Sequence, residues 1–350
     1  MTESPPDLSP RPFAFTGSAS EYFRIWIVNL MLSVATLGIY SAWAKVRRLR
    51  YFYGHTTLDG SVFGYHASPI AILKGRLIAY GVVLVVGVLG QTAPLAMLVV
   101  YLPLIAVMPI VIVRGLRFRA RNSSYRGIRF AFDGRTADAV AVFLGLPLAV
   151  PVTLGLLYPY VIKRQREFVI EGSRHGRSPF RLQLPGWPVY RIYTTAALCG
   201  IVLMGVPLLM MAGAQLAEAL AGNADQPAPV NPLVLFAILL FYLAVGVLAV
   251  GVRTSFENLA WNHTTIDGHR FESRLQIRRM FAIYVTNLVA IGVTLGLAVP
   301  WARVRLARYR AESLTLLPVG PIVTEASSSS VDESATGAEL TEAMDFDVGI

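Results

Sequence analysis

One cysteine, Cys199, is all the chain has, so neither an internal disulfide nor a thiolate metal cluster can be built from it. No Asp or Glu falls inside the long apolar stretches, which removes the usual intramembrane acid, base or proton relay. The patterns HExxH, GxSxG and GxxxxGK are missing, and with them the chemistry of zinc proteases, nucleophile-elbow hydrolases and P-loop enzymes. The first dozen residues are polar and proline-rich, without a basic start or an apolar core, so no cleavable signal peptide is expected. Beyond residue 318 there is no Lys or Arg against seven acidic residues, and a segment so short of apolar residues is expected to be disordered. The remaining body then carries a formal charge of +17, since the whole chain has +10.

Apolar residues are what the chain has in plenty. At 55% hydrophobic and 15% charged, with a mean hydropathy of +0.55, it reads as an integral membrane protein. Seven stretches qualify, at 25–43, 77–90 (extending back to 69), 95–113, 140–160, 192–217, 232–252 and 281–301. All 31 basic residues lie outside the connections 91–94 and 213–231. Seven full crossings would put about half of them on the wrong side, against the cytoplasmic bias of Lys and Arg. Four crossings in two hairpins and three re-entrant segments place every basic residue on the cytoplasmic face; short crossing helices for those three are the alternative.

Those three segments share a phrase. Thr36-Leu37-Gly38, Thr153-Leu154-Gly155 and Thr294-Leu295-Gly296 each follow a phenylalanine, Phe13, Phe130 or Phe271, by 23 residues. Phe63 and Phe180 follow Phe13 and Phe130 by 50 residues. Fixed offsets of this kind argue for repetition of one unit. Between the apolar stretches, Asp59-Gly60, Arg126-Gly127, Gly176 and Asp267-Gly268 sit among β-formers and signal hairpin turns.

The expected fold is an all-α polytopic membrane protein, with parallel internal repeats of a re-entrant or short transmembrane segment plus a transmembrane hairpin, and small cytoplasmic β-hairpins. Its parts are a disordered N-terminus (1–12), membrane repeats at 13–129 and 130–270, a partial repeat at 271–317 and an acidic disordered tail (318–350).

The run from Glu21-Tyr22-Phe23 through Thr36-Leu37-Gly38-Ile39-Tyr40-Ser41-Ala42-Trp43-Ala44-Lys45-Val46-Arg47 to Arg50-Tyr51-Phe52-Tyr53, with Phe256-Glu257-Asn258 and Asn262-His263-Thr264-Thr265 later, resembles the YjgN-like family of bacterial inner-membrane proteins. The resemblance covers about 13–316. It implies an inner-membrane location and a multi-span fold, and it carries no activity; the placement of the basic residues leads to the expectation that both termini are cytoplasmic.

Candidate site residues come from the repeated slots. Asn29 and Asn287 lie seven residues before the phrase threonine, and an amide at membrane depth needs a partner. Thr36, Gly38, Thr153, Gly155, Thr294 and Gly296 are candidates for a polar constriction, with close packing the plainer reading. Arg47, Arg164 and Arg305, with Trp43, Tyr160 and Trp301, form an interfacial pattern suited to anionic phospholipid headgroups. No metal, cofactor or nucleic acid is expected, and no enzyme activity. Two functions stand: a transporter or channel for a small solute or lipid, or a non-catalytic scaffold or anionic-lipid-binding protein.

Overall fold

The computed structural model describes residues 8–92, 96–220 and 232–320. The expected tail from 321 and most of the connections 91–94 and 213–231 lie outside these. Within them, ten strands close into one antiparallel barrel in which each strand pairs with its neighbours in sequence, and the first pairs with the last.

Local chemistry makes each piece. β1 (Arg11–Phe15), β3 (Ser61–Tyr65), β5 (Ile128–Phe132), β7 (Ser178–Leu182) and β9 (His269–Ser273) are five residues long. β2 (Thr56–Leu58), β4 (Ser123–Tyr125), β6 (Ser173–His175) and β8 (Thr264–Ile266) have three, and β10 (Leu314–Leu317) has four. Aromatic and branched side chains alternate inward and outward along them, as the pleat requires. Three tight turns have positive φ at both central residues, at Asp59-Gly60, Arg126-Gly127 and Asp267-Gly268. That is the type I′ geometry whose twist suits a hairpin. The fourth has glycine first, Gly176 at φ 59°, so the glycine that falls out of step in the sequence marks a change to a type II′ arrangement.

Helices enter the short strands in one recurring way. Thr56, Ser123, Ser173, Thr264 and Ser313 each donate a side-chain hydrogen bond to the carbonyl four residues back, at 2.7–3.1 Å. Each hydroxyl thereby satisfies a carbonyl that the helix end would orphan.

Five helical hairpins join the strands. Because successive strands are antiparallel, all five hang from one end of the barrel, while the four tight turns, the start of β1 and the end of β10 lie at the other. Short and long hairpins alternate. The short ones are α1 (Ala19–Ala35) with α2 (Ser41–Gly54), the broken helix α5 (Thr136–Val140), a π-helical turn (Ala141–Gly145) and α6 (Leu146–Ala149) with α7 (Tyr158–Glu171), and α10 (Ile277–Val293) with α11 (Val299–Glu312). The long ones are α3 (Pro69–Thr92) with α4 (Ala96–Asn122), and α8 (Gly186–Leu220) with α9 (Pro232–Asn262). Among the described residues four helical segments are long and apolar enough to cross a membrane: Pro69–Gln91, Val99–Asn122, Gly186–Ala217 and Pro232–Asn262. They fall on the four stretches read as crossings.

The all-α expectation is overturned by the barrel. Its hairpins are not separate surface pieces, because β1 and β10, drawn from the two ends of the described chain, pair Arg11 with Leu316 and Pro12 with Thr315 and close the sheet. Closure removes every exposed strand edge, which explains how strands of three to five residues can persist when an isolated hairpin is only marginal.

Candidate functional site

Pairing register stacks the barrel interior in layers. Nearest the tight turns lie five cross-strand pairs, Phe13 with Leu58, Phe63 with Tyr125, Phe130 with His175, Phe180 with Ile266 and Phe271 with Leu316. The five phenylalanines spaced out in the sequence therefore occupy one inward slot. Their rings touch around the axis, with centroids 6.1 Å apart for Phe13 and Phe63, 6.5 Å for Phe13 and Phe271, and 6.4 Å for both Phe180 with Phe271 and Phe130 with Phe180. Tyr125 and His175 bridge the remaining gap, 4.7 Å from Phe63 and 4.8 Å from Phe130 respectively and 5.8 Å from each other. The result is an unbroken aromatic belt. Burial pushes the Tyr125 phenol up and the His175 imidazole down from their ordinary ranges, since both charged forms lose solvation there. The His175 Nε2–H donates to the Tyr125 carbonyl at 3.1 Å, and the Tyr125 hydroxyl donates to the Leu58 carbonyl at 2.8 Å.

Below the belt, on the helix side, the Trp261 ring lies 5.2 Å from Phe271. Two small cavities, of about 80 and 70 Å³, have Trp261, Phe130 and Phe180 as common walls. A third and larger one, about 390 Å³, shares Tyr53 and Arg119 with the first of these and Phe13 and Phe63 with the second. Six of the seven shared wall residues are aromatic.

The larger chamber is cationic. Lys45 and Arg48 reach it from α2, Arg119 from α4, and Arg303 and Arg310 from α11. Among the described residues no Asp or Glu lines it; Glu257, 3.5 Å from Arg310, is shared with Arg253 at 3.1 Å. Arg303 donates to the Tyr22 hydroxyl at 3.2 Å, and the Arg310 Nε is buried without a hydrogen-bond partner. Apolar side chains, among them Leu49, Phe52, Ile72, Phe118 and Leu306, complete the wall.

These cations are not the ones singled out from the sequence. Arg47 faces outward and lies over the Tyr40 ring at 5.6 Å, with Trp43 stacked on the same ring at 6.0 Å. Arg305 lies over Trp301 at 5.0 Å, and Arg164 pairs with Glu167 at 2.9 Å; Tyr160 and Trp301 are exposed. The inward cations stand two before and one after the outward slot, at Lys45 and Arg48, and the spacing of Arg303, Leu306 and Arg310 along one helix face was the signal that could have found them.

The phrase threonines are corner residues. Thr36, Thr153 and Thr294 donate to carbonyls three or four residues back and accept the backbone N–H of Tyr40, Leu157 and Ala298 at 2.9–3.2 Å. Each thus stitches one limb of its hairpin to the other. Gly38, Gly155 and Gly296 follow at φ 91°, 86° and 95°, where a side chain is strained. These contacts stay within each corner. Asn287 is buried, donates to the Ala302 carbonyl and accepts from Arg305, both at 3.3 Å. Asn29, also buried, leaves its Oδ1 without a partner; each asparagine belongs to its own hairpin.

Residues 10–343 match a family model described as a bacterial protein of unknown function (DUF898). The chain is 25% identical over 342 residues to the inner membrane protein YjgN of Salmonella typhimurium, covering 85% of this chain and 86% of that protein. It is 28% identical over 153 residues to the YjgN of Escherichia coli O157:H7, covering 43% and 38%. No solved structure matches it.

Proposed function

Because the chain belongs to the DUF898 family of bacterial proteins of unknown function, we propose on physical grounds that it is a non-enzymatic transport protein of the inner membrane, in which the barrel is a gated portal. The observation that carries this is the series of three cavities that share wall residues, most of them aromatic. A wall of side chains can open by rotamer changes, on the timescale of side-chain and loop motion, whereas a backbone wall cannot. In this reading the barrel lies on the cytoplasmic side, following the bias of Lys and Arg, and the three short hairpins dip their apolar tips into the bilayer. The cationic chamber is the loading site and the Trp261 layer with the aromatic belt is the gate. The four spans are mostly outward-facing, so cargo would reach the chamber from between the hairpins.

The test is passage through reconstituted vesicles, followed as iodide influx. Trp261→Ala should raise the rate well above wild type, while Trp261→Phe, which keeps an aromatic plug, should not. An unchanged rate for a folded Trp261→Ala protein would sink the portal reading. That outcome would favour the second reading, a membrane scaffold, which the same outward-facing spans support.

A further inference from the structure

We propose that the chamber is a binding site for a phosphate ester carried on an apolar group. The inference deepens the portal reading by naming what is loaded, and it rests on that reading only for the idea that loading leads to passage.

Charge sets the class. Five cations from three helices converge on one cavity whose lining, among the described residues, holds no carboxylate, and Glu257, which pairs with Arg310, is divided between two arginines. These side chains also make contacts within the fold, but such contacts do not remove their charge. At the short distances within one cavity, like charges repel more strongly than in bulk water, and a multiply charged anion would relieve several of them at once. A phosphate monoester can supply that charge, and its oxygens suit the planar fork of arginine.

Geometry sets the shape. With a rise of about 1.5 Å per residue, Lys45 and Arg303, each eleven residues before the strand that follows, lie about 16 Å below the barrel. Arg48 lies about 12 Å below it, and Arg119 and Arg310 about 6 Å. The cations thus form a ladder leading toward the belt. A volume of about 390 Å³ falls in the range of small-molecule pockets and leaves room beside a phosphate for an organic group. Leu49, Phe52, Ile72 and Phe118 line that room. Free phosphate would fill the charged part only.

The same chemistry can come from a phospholipid headgroup or from a soluble phosphate ester, and the experiment separates them. Purified, delipidated full-length protein in a neutral detergent is titrated with dioctanoyl phosphatidic acid, with dioctanoyl phosphatidylcholine, and with glycerol phosphate. Phosphatidic acid should bind in a salt-dependent manner and more tightly than phosphatidylcholine. The double variant Lys45→Gln/Arg303→Gln should weaken it by about tenfold or more, the loss expected for one or two charge-assisted hydrogen bonds. Arg47→Gln/Arg50→Gln, on the outward face, should leave it unchanged. Glycerol phosphate binding with the same variant dependence assigns a soluble source, and binding of phosphatidic acid alone assigns the leaflet; both support the site. Should the first variant fail to fold, Arg48→Gln/Arg119→Gln asks the same question. Equal binding by wild type and a folded chamber variant, or no preference for phosphatidic acid, would overturn the proposal. Because binding is read without flux, its failure leaves the Trp261 experiment standing, and the reverse also holds.

Discussion

Replacing Leu154 by aspartate asks whether the hairpin tips lie in lipid, and the two environments demand opposite signs. Leu37, Leu154 and Leu295 have φ of 49–50° and are each more than nine-tenths exposed. A left-handed conformation costs an ordinary L-residue about 1–2 kcal/mol, whereas Asp visits it more readily because its short side chain can bond locally. In water the tip would therefore gain up to about 1 kcal/mol from Leu154→Asp. In a bilayer the bookkeeping reverses. Leucine at depth is favourable by about 0.3–0.6 kcal/mol and aspartate unfavourable by about 2.5–3.5 kcal/mol, so the exchange costs about 3–4 kcal/mol before the backbone relief is subtracted. The net is a loss of roughly 2–3 kcal/mol. Val152 and Leu156, exposed on either side of Leu154, make this tip a sensitive choice. The measurement is thermal unfolding in lipid nanodiscs by circular dichroism. A midpoint that falls by several degrees fits an immersed tip; one that stays or rises means that the tip lies in water and removes the rationale for an exposed leucine there.

Two further perturbations probe the barrel. His175 takes up a proton less readily when folded, since burial holds its imidazole below the ordinary range and the Tyr125 carbonyl offsets this only in part. Folded affinity for the proton lies below unfolded affinity, so stability is complete above the unfolded pKa of about 6.5 and is lost as pH falls toward the folded value. The unfolding midpoint should drop between about pH 7.5 and about pH 5.5, and His175→Gln, which keeps a donor but does not titrate, should flatten that drop; an equal drop in the variant would clear His175 of the effect. Gly172→Ala would bring a methyl to 2.5 Å from the Phe132 ring and 2.9 Å from the Phe168 carbonyl oxygen. The backbone atom cannot step aside, and an overpacking cost of about 1–3 kcal/mol is expected, seen as a lowered denaturation midpoint; an unaltered midpoint would mean that the barrel wall is softer than its contacts imply.

The four spans were legible because a helix that crosses lipid needs about twenty apolar residues in a row, and the placement of Lys and Arg set them apart from three other apolar stretches of similar length. Turn chemistry was equally plain, with Asp59-Gly60 and Asp267-Gly268 adopting the backbone their side chains permit. Barrel closure was not. A strand such as Thr56–Leu58 buries one side chain of three, too little for an alternation to register, and the closing pair joins Arg11 to Leu316 across almost the whole chain. No local pattern can announce such a contact. Repeated spacing located the five phenylalanines, but that they share a level and a direction is a property of register. For the site, spacing drew the eye to Arg47 and Arg305, which share an offset yet differ in company: Arg305 reaches Asn287, while Arg47 lies over Tyr40 and Asn29 keeps a bare oxygen.

Why the chamber forms where it does follows from a difference among the short hairpins. Nine residues after the phrase threonine stand Lys45, Ile162 and Arg303, and fourteen after it stand Arg50, Glu167 and Arg308. In the middle hairpin Glu167 is buried and bonded to Lys163 at 3.0 Å and to Arg164 at 2.9 Å, so its cations are answered from within. A buried pair of this kind is costly to break, because one partner would be left charged and alone. The first and third hairpins have arginine where Glu167 stands, and barrel closure through β1 and β10 makes these two hairpins neighbours. Their basic residues therefore gather on one side of the axis. Ring closure through β1 and β10 and the placement of Glu167 together turn a nearly regular scaffold into one with a cationic mouth beside these two hairpins.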